Sequence, residues 1–351
     1  MEHDLFARQL IHWYHRNGRD LPWRNTKDAY NIWLSEIILQ QTRISQGLPY
    51  YLKFLQAYPT ILDLANAEEQ EILRLWQGLG YYSRARNLHA CAKQVVTHYN
   101  GHFPTTYQEL LKLKGIGKYT ASAMASFAFG QNKAVVDGNV FRVLSRLFGI
   151  EDDIAEARTF KVFESLADDL VRGKNAADFN QAIMDFGAIQ CTPKSPSCGI
   201  CPFSQNCIAY NTNRQASLPI KTNKVKVKER YFAYLVFEFN GQLLLKERGP
   251  KDVWQGLNDF PLMEHKKMPN EEEVLDDLHL AGIVHVDTSV TFKHVLTHQR
   301  IFARFFRFKA TDSAKFAQLQ KHFEASPFSR NQIEALPKPI LIENYWKECI
   351  L

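Results

Sequence analysis

Leu111–Asn139, LKLKGIGKYTASAMASFAFGQNKAVVDGN, is the stretch from which the rest of the chain can be read. Its pattern predicts a helix, a turn at Gly115-Ile116-Gly117, a second helix over Lys118–Phe129, and an apolar run ending in Asp137-Gly138-Asn139. Two glycines around one apolar residue permit a tight turn and leave backbone N–H groups bare where the second helix begins. Those donors and the helix dipole favour an anion, and Lys112, Lys114 and Lys118 around it favour a phosphate over a carboxylate. The same pattern also serves as an ordinary connection between helices. Asp137 precedes a helix start at Gly138 and suits an N-cap. Any further role for it depends on what the chain places opposite.

Towards the N-terminus, Phe6, Leu10, Trp13 and Tyr14 recur at helical spacing, and Asn17-Gly18 ends that helix. Leu21-Pro22-Trp23-Arg24 predicts an extended corner. Asp28 then caps a helix running through AYNIWLSEIILQQT to Thr42. Ile32, Trp33, Leu34, Ile37, Ile38 and Leu39 make that helix apolar nearly all round, hence buried. Glu36 lies in its middle. A buried carboxylate either pairs with a cation or backbone donor, or keeps its proton near neutrality, as a general acid must. Leu64–Leu75 predicts one amphipathic helix, followed by the glycine-rich aromatic turn Gly78-Leu79-Gly80-Tyr81-Tyr82 and the basic Arg84 and Arg86. Such a turn suits a wedge into a base stack, or simply core aromatics beside a solvated helix. Residues 151–175 form a charged helical stretch without chemical signal, and Asn180–Gly187 is an apolar helix carrying the amide of Gln181.

Four of the six cysteines crowd into Cys191-x6-Cys198-x2-Cys201-x5-Cys207. Zinc sites more typically show two close pairs, whereas a [4Fe–4S] cluster takes four thiolates and accepts such unequal spacing. From Asn211 to Arg230 the composition turns basic, reading as a linker suited to a phosphate backbone. A β-rich segment follows. Tyr231–Phe239 and Gln242–Lys246 flank Asn240-Gly241, a two-residue hairpin signal. Asn270 and Glu273 form a capping box for a helix to about Leu280, and Phe292–His294 and Ile301–Phe308 read as strands around Leu296-Thr297-His298. The 351 residues suggest about two domains. No apolar run is long enough for a membrane helix and no leader pattern opens the chain, so a cytoplasmic protein is expected. A formal charge of +6 favours an acidic partner.

With these residues in view, the chain resembles the MutY-type adenine DNA glycosylases from end to end. SEIILQQT, GLGYYSRARN, LKGIGKYTA, VVDGN, FNQAIMDFGA, the four-cysteine loop, VWQGLNDFP and FKHVLTH carry the resemblance. It implies a multidomain protein: an all-α helix–hairpin–helix glycosylase domain (1–210) with a [4Fe–4S] loop on Cys191, Cys198, Cys201 and Cys207, a linker (211–229), and a smaller α/β Nudix-like domain (230–351). The implied substrate is adenine opposite 8-oxoguanine in duplex DNA, bound by a monomer and cut at the N-glycosidic bond.

By the same resemblance Glu36 protonates adenine N7, while Asp137, beside Asn139, stabilises the oxocarbenium-like sugar electrostatically or by transient covalent capture. Trp23, Arg24 and Gln181 line the base pocket; Gln41, Thr42, Leu79 and Tyr81 work at the gap in the stack; Gly115, Gly117 and Lys118 hold the backbone. Tyr119 stands where the lyases of the endonuclease III type carry a Schiff-base lysine, and Lys118 points about 100° away on the helix. A monofunctional glycosylase is therefore expected. The alternatives are an endonuclease III-like lyase and a non-enzymatic DNA-binding or redox-sensing protein. Two departures stand out. The family's lesion-reading Phe-Ser-His is Leu296-Thr297-His298, which keeps a hydroxyl and loses the aromatic. The glycine, arginine and paired glutamates of a Nudix box do not occur between Pro261 and Gly282, so the second domain is expected to read the lesion rather than hydrolyse nucleotides.

Overall fold

The computed structural model describes residues 2–222, 227–250, 252–278 and 282–350. Internal contacts divide the chain into Met1–Asn66 with Asn87–Asn223, and Ala67–Arg86 with Lys224–Leu351. In chain order the first part holds α1 (His3–Asn17), α2 (Ala29–Leu39), α3 (Ile44–Ala57), α4 (Ile61–Asn66), α5 (Glu69–Trp76, in the second unit), α6 (Ser83–Tyr99) and α7 (Tyr107–Leu110). There follow α8 (Lys118–Phe127), α9 (Gly138–Phe148), α10 (Ala157–Val171), α11 (Ala176–Ile189) and the short α12 (Ile208–Asn211).

The first unit has two packed groups of helices. In one, α1, α9, α10 and α11 close around Phe6, Leu10, Leu144, Phe163, Phe186 and Phe203. In the other, α2 packs on α3 and α8, and α7 on α8. The Trp33 and Phe103 rings, 5.2 Å apart, fill its interior. Contact between α8 and α11 joins the groups, so α2 and α8 face α9 and α11.

Several boundaries differ from expectation. The segment before the glycine turn is not a continuous helix: α7 stops at Leu110, and single turns carry the chain to Ile116 (Lys112 N–H to Glu109 O, Leu113 N–H to Leu110 O). The next helix ends at Phe127 rather than Phe129. The helix carrying Glu36 ends at Leu39, not Thr42, because Gln41 takes a left-handed φ of 54°. After an extended Leu21, Pro22–Arg24 is a 3-10 turn rather than a continued extended corner; Pro22 presets its first φ. The single helix expected over Leu64–Leu75 is two, α4 and α5, broken where the chain passes from one unit to the other. The expected linker begins packed: Leu218 is buried and Ile154 N–H donates to Ile220 O. Its Lys224 and Lys226 lie outside the described residues, as does Leu280 at the end of the predicted acidic helix.

The second unit is built on a mixed sheet: β1 (Lys228–Phe239), β2 (Gln242–Glu247), β3 (Asn258–Asp259), β4 (Leu262–His265), β5 (Ile283–Thr288), β6 (Phe292–Val295), β7 (Gln299–Ala310) and β8 (Ser326–Ser329). Its path runs β3-β2-β1-β7-β5, with β4 on β1, β6 on β7 and β8 on β2. The Asn240-Gly241 hairpin forms as read, both residues at positive φ. Asn270 and Glu273 exchange backbone-to-side-chain hydrogen bonds at 2.9 and 2.8 Å, capping α13 (Glu271–Leu278). The β1–β7 pairing is parallel, which no local pattern announced. Alternation sends Ala233, Leu235 and Phe237 to one face, under α13 and α14 (Ser313–Phe323). Tyr234 faces the other way and stacks on Phe305, which in turn stacks on Tyr345. Two short helices, α15 (Arg330–Ala335) and α16 (Ile340–Tyr345), complete that side. The segment 67–86 is fastened to this unit at its middle and at its C-terminal end. Lys338 N–H donates to Gln77 Oε1 at 3.1 Å, and Arg86 Nη1 donates to Gln255 O at 2.6 Å.

Candidate active site

Within the first unit, a cavity of about 470 Å³ opens between the two helix groups. Glu36 of α2, Tyr119 of α8, Asp137 and Asn139 at the start of α9, Gln181 and Met184 of α11, and Trp23 and Arg24 of the 3-10 turn all line it. Thr42 lies on its rim.

Glu36 is only 7% exposed on an otherwise apolar helix. Burial pushes its pKa up to about 7; a hydrogen bond donated by the Tyr119 hydroxyl opposes the rise, the charge of Asp137 adds to it, and Arg24 pulls it down. Burial likewise holds the Tyr119 phenol well above its usual value, and Met184 Sδ lies 3.7 Å from its hydroxyl. Asp137 differs in kind. Burial raises its pKa too, but it accepts from Val140 N–H at 2.8 Å, Asn139 Nδ2 at 2.8 Å and Asn139 N–H at 2.9 Å. It sits at the positive end of α9, and Arg142 adds a cation. Three donors and a helix N-terminus stabilise the charged form, so Asp137 ionises ahead of Glu36. The cap expected of Asp137 and its orientation into the cavity are one arrangement.

Arg24 behaves less like a base reader than its position implies. Its Nη1 and Nη2 form a bidentate pair with Asp185 at 2.7 and 2.8 Å, and Nη1 also donates to Arg19 O at 2.9 Å. Arg19 adds its Nε and backbone N–H to the same carboxylate, each at 2.9 Å. Asp185 is fully buried, yet its pKa lies below normal, because the two arginines outweigh the cost of burial. The sequence reading passed Asp185 over. Its signal was the one that marked Glu36, a carboxylate on an apolar helix, four residues from Gln181 and so on the same face.

At Gly115, φ is 75°, and a Cβ there would come within 2.7 Å of Asn87 Cβ, so only glycine fits. Gly117 is extended with open space around it, and no side chain caps α8. That leaves the N–H groups of the helix start facing outward. Lys118 Nζ lies 4.7 Å from the centre of the Phe160 ring. Gln41 is exposed on the left-handed turn after α2, a conformation that costs energy outside glycine and is often kept for function.

The remaining residues singled out from sequence belong to the second unit. Leu79 and Tyr81 line a separate cavity of about 340 Å³ with Trp254, Leu296, Thr297 and His298. Tyr81 is 44% exposed, has φ of 50°, and hydrogen-bonds through its hydroxyl to Thr297 Oγ1. Leu296-Thr297-His298 caps the β6–β7 turn, where Leu296 N–H donates to Gln299 O at 2.8 Å.

The four cysteines wrap the end of α9. Cys201 lies within electrostatic range of the other three thiols. Arg146 is 3% exposed and binds the loop through its guanidinium: Nη1 to Thr192 O at 2.7 Å and to Cys191 Sγ at 3.4 Å, Nη2 to Pro193 O at 3.1 Å. Cys207 Sγ–H points at the Arg146 carbonyl at 3.4 Å. Among the described residues no three His, Cys, Asp or Glu side chains converge on a single metal ion. Four thiolates in one loop, one per iron, are the donor set that a [4Fe–4S] cluster takes. Arg142 connects this loop to the cavity: Nε donates to Cys191 O at 2.8 Å and Nη2 to Asn139 Oδ1 at 2.8 Å. Asn139 in turn holds Asp137. Neither arginine was singled out from sequence.

Residues 34–168 match the model for the HhH-GPD superfamily base excision DNA repair proteins, 191–207 the iron-sulfur binding domain of endonuclease III, and 232–348 the NUDIX domain. Adenine DNA glycosylases from two Buchnera aphidicola subspecies are similar. That of Schizaphis graminum is 36% identical over 75% of this chain and 76% of its own length; that of Baizongia pistaciae is 35% identical over 85% and 84%. A solved thermostable thymine-DNA glycosylase superposes with a TM-score of 0.56 and 34% identity, over 60% of this chain and 97% of its own.

Proposed function

Since the chain belongs to the adenine DNA glycosylases, enzymes of base excision repair, and carries a [4Fe–4S] cluster, we propose that Cys191, Cys198, Cys201 and Cys207 hold that cluster and that the protein removes adenine paired with 8-oxoguanine, and with guanine, from duplex DNA without cutting the strand. The observation that carries the mechanism is one cavity holding two carboxylates in unlike surroundings, Glu36 on an apolar helix with its pKa pushed up to about 7 and Asp137 at a helix start with three hydrogen-bond donors. When bound, the cluster ties four points of the 191–207 loop together.

Inside a duplex the target atoms are stacked away, so the adenine must swing out into the cavity. Trp23 supplies a flat apolar wall. Glu36 gives its proton to N7, and the bond from N9 to C1′ breaks with its electron pair leaving on the base, which departs neutral. The sugar becomes an oxocarbenium-like cation, and ionised Asp137 stabilises it. Water adds to C1′, returning a proton to Glu36. Gln41, next to Thr42, and Tyr81, between Gly80 and Tyr82 and two residues from Leu79, are each already in a left-handed turn, and each is a group we assign to the gap left in the stack. The α8 start at Gly115–Lys118 takes the phosphates. A monomer suffices, because a single chain supplies both carboxylates.

Strand scission by this fold requires an amine that attacks C1′. Tyr119 occupies the place beside Glu36, and its phenol is neither an amine nor ionised. Duplexes carrying one adenine opposite 8-oxoguanine should therefore be nicked only after alkali, and borohydride should trap no protein–DNA adduct. Efficient trapping, lost in Tyr119→Phe or Lys118→Ala, would overturn the monofunctional reading.

The Thr297 hydroxyl, already paired with Tyr81, supports lesion reading from the second unit. Thr297→Ala should lower the preference for 8-oxoguanine over guanine by about tenfold, the scale of one lost hydrogen bond. Single-turnover rates on the two duplexes measure it, and an unchanged ratio would remove Thr297 from lesion recognition.

A further inference from the structure

Tyr14 belongs to no part of the mechanism above. It sits on α1 and does not line the cavity that holds Glu36. Its hydroxyl, however, lies 2.5 Å from Gln181 Oε1. That length suits an O–H···O bond, with the phenol donating to the amide oxygen. Donor–acceptor distances of about 2.5–3.0 Å belong to O–H···O bonds, whereas an N–H···O bond needs about 2.7–3.2 Å. With the amide turned round, Nε2 would be pressed too close and the phenol would lose its acceptor. The Arg24 guanidinium, 5.7 Å from the centre of the Tyr14 ring, draws on the ring's electrons and makes the hydroxyl a better donor. The Tyr14 carbon frame is held as well, since α1 and α11 pack along their lengths and Trp13 meets Phe186 edge to face at 5.0 Å.

We infer that Tyr14 is a positioning residue that sets base specificity: by holding Gln181 Oε1 on its own side it turns the amide's N–H donors toward the flipped base. This rests on the adenine-excising role of the cavity. The other polar group of that wall is already committed, because both Arg24 Nη atoms bind Asp185. An amide that turns its N–H to the Watson–Crick edge accepts adenine, whose N1 is a bare acceptor. It repels purines whose N1 carries a proton, guanine and hypoxanthine, because two donors face each other and neither is satisfied. Without the Tyr14 hydroxyl the amide is free to rotate and present Oε1 to an N1–H.

The test uses full-length, cluster-loaded protein in single turnover on two duplexes, adenine and hypoxanthine, each opposite 8-oxoguanine. Wild type should excise adenine far faster. Tyr14→Phe should slow adenine excision about tenfold while hypoxanthine excision holds or rises, shrinking the rate ratio by roughly tenfold or more. In a Gln181→Leu background the same change should leave the ratio where it is, because there is no amide left to orient. A purely structural role would slow both bases equally, and an unchanged ratio in Tyr14→Phe overturns the proposal. Should that variant fail to fold, Gln181→Leu alone decides: an adenine-to-hypoxanthine ratio equal to wild type means the amide does not read N1. Wild type that leaves adenine untouched would instead overturn the role on which the inference rests.

Discussion

Glu36→Gln should abolish adenine excision, with a loss of about 10³-fold or more in single-turnover rate, near the upper part of what a positioned general acid supplies. Glutamine keeps the shape and the hydrogen bond to Tyr119 and lacks only the proton. Wild-type rate should be greatest below the Glu36 pKa of about 7 and fall roughly tenfold per pH unit above it. At low pH it should fall again as Asp137 takes up a proton, and the two limbs report the coupled pair rather than either residue alone. The variant should show no such alkaline limb.

The same substitution carries a stability prediction of opposite sign. Glu36 releases its proton near 4.5 when exposed and near 7 in the fold, so the native state binds more protons between those values. Stability therefore falls as pH rises from about 4.5 to about 7 and stays lower beyond. Glu36→Gln removes that penalty, making the inactive variant the more stable protein at pH 8, by up to roughly 3 kcal/mol, and little different at pH 4. Denaturant titrations at the two pH values measure it. A stability difference independent of pH, or full activity in the variant, would place the acid elsewhere.

Asp137→Asn separates chemistry from architecture. Asparagine is as good an N-cap as aspartate, so α9 should remain capped through Asn139 and Val140 N–H and the melting temperature should barely move. Excision should fall by about 10²–10³-fold, the scale for removing one preorganised electrostatic stabiliser of a transition state. Asp137→Ala should lose the rate and in addition about 1 kcal/mol of stability, because the cap goes too. If Asn at 137 retained most of the activity, the cap would be the residue's whole purpose and the developing cation would be stabilised elsewhere.

Chemistry that depends on residue type at short spacing could be read along the chain. A carboxylate in an apolar helix, an aspartate before a helix start, a Gly-x-Gly turn among lysines and four cysteines within one loop each carry their own physical signature. So did the Asn240-Gly241 hairpin and the Asn270–Glu273 capping box, whose partners lie three or fewer residues apart. Element ends were less legible. Whether α2 continues to Thr42 is decided by the turn that gives Gln41 its left-handed backbone, and the break between α4 and α5 marks a change of unit that the amphipathic pattern runs straight through.

What only the folded chain decides is which groups meet. The Arg24–Asp185 clamp joins residues 161 apart, and Tyr14 reaches Gln181 across 167. Nothing local to either member specifies its partner. The arginine expected at the base pocket lines the cavity and is also clamped to a buried carboxylate, and a tyrosine that looked like ordinary helix filling becomes the group that orients an amide. Glu36 shows how the two levels combine. Its apolar neighbours in sequence predicted a raised pKa, but its working value reflects Tyr119, Asp137 and Arg24, drawn from three other segments. Burial follows from a helix's own composition, whereas hydrogen-bond partners and neighbouring charges follow from packing, and the protonation state of an active site is the sum of the two.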